Sequence, residues 1–235
     1  MSIIQLDTII KTYHMGKVEV PALRGISLTL VKGDFVAIAG PSGSGKTTIL
    51  NIIGLIDKPT SGSIVIADKN VTNMKKAGLT RMRQKELGFI FQSFNLISVL
   101  NVFENVELPL IIGKAEQTKA ERRDWVNYLI EEVGLADRKK HKPAELSGGQ
   151  QQRVAIARAL STKPQIVIAD EPTANLDSAT GETILNLMKK INKEQNTTFV
   201  FSTHDPVIHE LADHVIFLKD GNIVRERKQA KEVKK

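Results

Sequence analysis

The 235-residue chain contains no cysteine, so disulfides and thiolate-held metals are excluded, and any metal must sit on oxygen or imidazole. No apolar run approaches the roughly 18 to 20 residues that span a bilayer. The longest runs, such as 35–39 and 166–169, have the length of core strands. Work at a membrane would therefore be that of a peripheral subunit. The opening Met1-Ser2-Ile3-Ile4-Gln5 lacks the basic segment, apolar stretch and small-residue cleavage site of a secretory leader, so export is not expected. Internal repeats and low-complexity tracts are also missing.

An apolar share of 41% suits an ordinary buried core, and the length suits one large domain or two small ones. The formal net charge of +7 points to anionic partners: nucleic acid, a phospholipid surface, or only nucleotide. Part of that excess lies in Arg225, Arg227, Lys228, Lys231, Lys234 and Lys235, read as a solvated basic tail over 226–235.

Ile26-Ser27-Leu28-Thr29-Leu30 alternates apolar and polar residues as a half-buried strand does, which predicts an antiparallel layer at the start of the fold. Phe35-Val36-Ala37-Ile38-Ala39 is apolar throughout, as in a strand covered on both faces, and runs into Gly40. The same pattern returns at 166–169, 199–202 and 215–218, with helices between, which implies a wound α/β core. A section from about 93 to 159 reads as mainly helical, with 119–133 as its clearest amphipathic segment. It is taken as a helical subdomain inserted into a single domain covering 1–225.

Gly40-Pro41-Ser42-Gly43-Ser44-Gly45-Lys46-Thr47 fits the G-x-x-x-x-G-K-[ST] pattern between a buried strand and a helix. Glycines let backbone N–H groups converge on phosphate oxygens, and the helix N-terminus adds a favourable dipole. Lys46 can reach the outer phosphates, the Thr47 hydroxyl is suited to Mg²⁺, and Thr48 can add a phosphate hydrogen bond. Farther on, Asp170 and Glu171 end an apolar strand, where alternation would aim their side chains differently. Asp170 suits the Mg²⁺ shell, while Glu171 can polarise the water that attacks a γ-phosphate. Leu146-Ser147-Gly148-Gly149-Gln150 opens another helix and is a second glycine-rich helix start.

In this order the phosphate loop, Gln92 after a strand, Leu-Ser-Gly-Gly-Gln, Asp170-Glu171, Leu176-Asp177 and His204 resemble the ATP-binding subunits of ABC transporters. The resemblance covers roughly 3 to 225. It implies an α/β phosphate-loop ATPase core with an N-terminal antiparallel β layer and a helical subdomain, and an ATP hydrolase using ATP and Mg²⁺. It makes Tyr13 the aromatic that stacks on adenine and Gln92 a Mg²⁺ contact that senses a transport partner. His204 becomes the residue that contacts the γ-phosphate and holds Glu171 and the water. The family joins two copies head to tail, so Ser147, Gly148, Gly149 and Gln150 of one would close on ATP held by the other. Asp177 would hydrogen-bond across that seam, and Ala174 stands where the family often has Ser.

Phe91-Gln92-Ser93-Phe94-Asn95-Leu96-Ile97 and the run from Glu104 to Leu110 look like the macrolide-exporter and lipoprotein-releasing branch. That branch implies a transmembrane permease partner and a peripheral position on the cytoplasmic side of the inner membrane. Phe94, Leu96, Ile97 and Leu100 are then expected to form the groove for a permease helix. A nucleic-acid-associated ATPase of this type would carry a long coiled coil or a second ATPase domain, and neither fits in 235 residues; no nucleic-acid partner is expected. A binding-only module would lack the catalytic acid. A cell-division signalling ATPase is the nearest alternative, and Phe94-Asn95-Leu96 argues against it.

Overall fold

The computed structural model describes residues 1–16, 18–114, 116–203 and 205–229. Two sheets and a helical layer share two hydrophobic cores. β1 (Ser2–Met15) and β2 (Val18–Val31) form a long antiparallel hairpin with Leu6 opposite Leu28 and Ile9 opposite Ile26. β4 (Ser61–Ile66) pairs with the other edge of β1, and β5 (Lys69–Asn70) closes this sheet in the order β2-β1-β4-β5. The alternating stretch 26–30 is the second half of β2. Its partner β1 carries bulges, one beside Thr8 at φ 51°, which break the period of two.

The larger sheet is built from β3 (Phe35–Ala39), β6 (Leu87–Ile90), β7 (Ile166–Asp170), β8 (Thr198–Thr203), β9 (His214–Lys219) and β10 (Asn222–Lys228). Their order is β10-β9-β3-β8-β7-β6, parallel except for β10 on β9. All five residues of β3 are buried, because its side chains serve both faces. Val36 and Ile38 join a core with the hairpin sheet and α1 (Lys46–Ile53). Phe35, Ala37 and Ala39 join a second core with the helices.

That second core is continuous with α3 (Val102–Ile112), α4 (Lys119–Glu132), α5 (Gly148–Leu160) and α6 (Ser178–Gln195). The helical region therefore packs on the same apolar surface as the strands rather than on a core of its own. α2 (Lys76–Glu86) and the short α7 (Pro206–Leu211) complete the described α-helices. The last strand also differs from the expected tail boundary. β10 continues to Lys228, the Arg227 guanidinium donates to the His209 carbonyl, and Arg225 lies 5.6 Å over the Phe217 ring. The ladder with β9 holds 226–228 in the fold. Lys231, Lys234 and Lys235 fall outside the described residues.

Candidate functional site

Parallel pairing brings the C-terminal ends of β3, β8, β7 and β6 to one edge, the edge where open α/β sheets bind ligands. A cleft of about 620 Å³ opens there. Gly40, Ser42, Gly43, Gly45, Lys46, Thr47 and Thr48 form one wall, Gln92, Asp170, Glu171, Ala174 and Ser202 another, and Val20, Pro21 and Ala22 of β2 a third. The β2 wall escaped sequence reasoning, since three small or apolar residues on a strand carry no chemical signature.

The loop that enters α1 requires its glycines for two reasons. Gly40, Gly43 and Gly45 have φ of 154°, 78° and 104°, which side chains with a Cβ rarely adopt. A Cβ on Gly40 would lie 2.3 Å from the Leu218 carbonyl oxygen, and one on Gly45 2.8 Å from that of Ala22. The β9–β10 turn supports the loop from beneath, with Gly221 N–H donating to the Ser44 carbonyl at 3.1 Å. Gly45 caps α1 without a side-chain acceptor, so the backbone donors of the first turn are left to the cleft. The Lys46 ammonium donates to the carbonyls of Gly40 and Pro41 at 2.8 and 3.1 Å. Ser44 is the exception among the loop residues. It is buried, its N–H donates to the Pro41 carbonyl at 3.3 Å, and it does not line the cleft.

Opposite the loop, Asp170 ends β7 and accepts a hydrogen bond from the Ser202 hydroxyl. Glu171 is separated from it by more than strand alternation. It lies beyond the strand at φ 46°, with its N–H donating to the Ser202 carbonyl at 3.1 Å. A left-handed non-glycine residue costs on the order of 1–2 kcal/mol, so the surrounding hydrogen bonds must hold it. Thr47, Gln92 and Asp170 supply oxygen donors around one cleft. No group of three or more His, Cys, Asp or Glu that could hold a metal ion occurs among the described residues. This sparse, hard donor set suits Mg²⁺, which takes one or two carboxylates and completes its shell with phosphate and water. His204 lies outside the described residues.

Tyr13 is not a wall of the cleft. Its hydroxyl donates to Asp57 at 2.9 Å, and the Lys11 ammonium sits 4.7 Å over its ring and bridges to Asp57 at 2.7 Å. Burial pushes the Tyr13 phenol above its usual range; the hydroxyl of Thr48 pulls it partly back, and Asp57 pushes it up. Tyr13 thus interacts with Thr48, which does line the cleft.

Ser147, Gly148, Gly149, Gln150 and Asp177 are likewise absent from the cleft walls of their own chain. Ser147 and Gln150 form a reciprocal cap of α5: the Ser147 hydroxyl accepts from Gln150 N–H at 3.3 Å, and Gln150 Oε1 accepts from Ser147 N–H at 2.9 Å. A Cβ on Gly149 would lie 2.5 Å from Thr180 Cγ2, whereas one on Gly148 would meet nothing closer than 3.7 Å. Asp177 caps α6 by accepting from Thr180 N–H at 3.0 Å. Hydrogen bonds from the Thr180 side chain and backbone hold its carboxyl below the usual range.

A separate apolar groove of about 340 Å³ runs between β6 and the helices, lined by Leu87, Phe89, Phe91, Leu108, Pro109 and Ile112 with Arg83, Asn95 and Arg158. Phe94, Leu96, Ile97 and Leu100 do not line it. The chain turns away at Phe94 and Asn95, with φ of 57° and 48°. The buried Asn105 amide then bonds the carbonyls of Ile97 and Leu100 at 3.2 and 3.0 Å, and Leu96 packs against the core.

Residues 23–174 match the family model described as ABC transporter. The ABC transporter ATP-binding protein MJ0796 of Methanocaldococcus jannaschii is 48% identical over 227 residues, covering 96% of this chain and 97% of that one. Its solved dimeric structure in a post-hydrolysis state, bound to ADP and Pi, superposes with a TM-score of 0.89 at 46% identity, covering 96% of this chain and 98% of that one. The lipoprotein-releasing system ATP-binding protein LolD of Legionella pneumophila is 45% identical, covering 91% of this chain and 93% of that one. The macrolide export ATP-binding/permease protein MacB of Syntrophobacter fumaroxidans is 43% identical over 95% of this chain, which spans 31% of that longer protein.

Proposed function

The chain belongs to the ABC transporter family as an ATP-binding, ATP-hydrolysing subunit, and from that premise we propose that it drives a membrane permease of the macrolide-exporter or lipoprotein-releasing type. One observation carries the chemistry: an uncapped, glycine-built helix start faces two acids across a single cleft. Backbone donors of the loop and Lys46 hold the phosphates. Thr47, Gln92 and Asp170 would hold Mg²⁺, which when bound neutralises charge on the phosphate oxygens. Glu171, which lines the cleft beyond the strand that Asp170 ends, accepts the proton of the attacking water. By family resemblance His204 steadies that water, and Tyr13 stacks on adenine with its hydroxyl anchored by Asp57.

The second glycine turn acts on another copy of the chain. Gly148 has room for a side chain within its own subunit, so its bareness is explained by a close approach from outside, such as a partner's γ-phosphate. ATP bound between Gly40–Thr47 of one subunit and Ser147–Gln150 of the next would close the dimer, with Asp177 at the seam, and hydrolysis would release it. No helix among the described residues is long and apolar enough to cross a membrane. In this reading the chain works peripherally at the cytoplasmic face of the inner membrane, with a permease helix in the apolar groove beside Phe89, Phe91 and Ile112.

Gel filtration of Glu171→Gln protein tests this. A dimer formed with Mg-ATP and absent with ADP is the expected result. A monomer that holds ATP, and stays monomeric when the permease is added, overturns closure by the second glycine turn.

A further inference from the structure

The segment that leaves β6 belongs to both concavities. Gln92 is a wall of the nucleotide cleft, while Phe91 and Asn95 are walls of the apolar groove. Phe94 and Asn95 are consecutive left-handed residues and neither is glycine. Such a turn needs outside support, because the left-handed region is unfavourable for residues with a Cβ.

That support comes from sequence-distant side chains on either side of Gln92. From α5, Arg158 Nη1 donates to the Asn95 carbonyl at 2.5 Å and Nη2 to the Phe94 carbonyl at 2.6 Å. Burial pushes the Arg158 guanidinium below its usual range. Among the described residues no carboxylate pairs with it, so these two carbonyls are its partners. From the loop after β7, the exposed Asn175 donates through Nδ2 to the Gln92 carbonyl at 2.9 Å. Arg158 does not line the nucleotide cleft, and its position in the groove wall keeps it away from any reacting atom.

We propose that Arg158 and Asn175 are positioning residues that fix the backbone at and after Gln92, and so set the Gln92 side chain at the metal side of the cleft. The proposal rests on the reading of Gln92 as a Mg²⁺ contact. It gives Arg158 a function that packing alone would not, since a structural arginine need not influence metal affinity.

The test is equilibrium binding of the N-methylanthraniloyl derivative of non-hydrolysable AMP-PNP to the monomeric chain, with Mg²⁺ titrated in and with EDTA. Four variants are compared with wild type: Arg158→Lys, Asn175→Ala, Gln92→Ala and the double variant of the last two. Loss of an outer hydrogen bond to a metal contact weakens metal affinity by about ten-fold, so Arg158→Lys and Asn175→Ala should each need about ten-fold more Mg²⁺ for half-saturation. Their affinity in EDTA should stay at the wild-type value. Adding Asn175→Ala to Gln92→Ala should cost nothing further. If Gln92→Ala shifts the Mg²⁺ requirement and the other two do not, the positioning role is overturned while the Gln92 reading stands. If Gln92→Ala itself shifts nothing, both are overturned. Asn175 is exposed, so its variant decides the matter even where Arg158→Lys fails to fold.

Discussion

Two glycine-rich segments open helices in this chain, and they treat the helix N-terminus in opposite ways. At α1 the cap is Gly45, left-handed and without a side-chain acceptor, and the loop before it bends through Gly40 and Gly43 at positive φ. At α5 the cap is Ser147 in extended conformation, and Ser147 and Gln150 satisfy one another's N–H groups. The first segment keeps its donors for a ligand and is already inside a cleft. The second is a finished helix cap on the surface, and only the spare room at Gly148 indicates that something else must come close. One is a binding site within a single chain, and the other, in the proposed dimer, becomes one when a second chain arrives.

The largest expected effect falls on the cleft of the first segment. Removing the base by Glu171→Gln should lower steady-state phosphate release by about 10²- to 10⁴-fold and leave nucleotide binding intact; an unchanged rate would remove Glu171 from catalysis. Gly148→Ala should be smaller and confined to the second segment. A loss of about ten-fold in ATPase rate, equal to ~1.4 kcal/mol, is expected with an unchanged melting temperature and unchanged monomer affinity for ATP. A variant as active as wild type would show that nothing approaches Gly148 from outside.

Ser147→Ala reports the capping half of the comparison. It should cost about 1 kcal/mol, read as a drop of roughly 2–4 °C in Tm for a chain of this size. No drop would mean that the reciprocal cap contributes nothing. The smallest effect is a pH dependence at the α6 cap. Asp177 has its folded value held below the unfolded one, so its contribution is complete above the ordinary aspartate range and is lost as pH falls through the lowered value. The Tm gap between wild type and Asp177→Asn should be open at pH 7 and close below about pH 4, whereas the gap for Ser147→Ala should persist in acid.

The legible parts of the fold were those whose surroundings are uniform. β3, β7, β8 and β9 are buried on both faces, so a plain apolar run reveals them. β1 was not legible because its bulges break the alternation, and α2 was not because Leu79 and Met82 share its buried face with Glu86. Glu86 is accommodated by Gln165, which donates to it at 2.7 Å, and such a partner 79 residues away leaves no periodic trace. The turn that carries Phe94, Leu96, Ile97 and Leu100 away from the apolar groove beside β6 was not legible, since nothing in Phe94-Asn95 announces a left-handed turn held by Arg158.

The phosphate loop was determined by sequence alone, because its requirements are local: glycines where φ must be positive, a lysine and a threonine covalently next to the helix that presents them. The acids were readable as strand-end residues for the same reason. Which groups share the cleft was decided only in three dimensions. Parallel pairing of β6, β7, β8 and β3 brings Gln92, Asp170, Ser202 and Gly40 to one edge, and β2 adds a wall that no motif encodes. Proximity between distant segments is a property of sheet order, and strand register rather than residue spacing sets it.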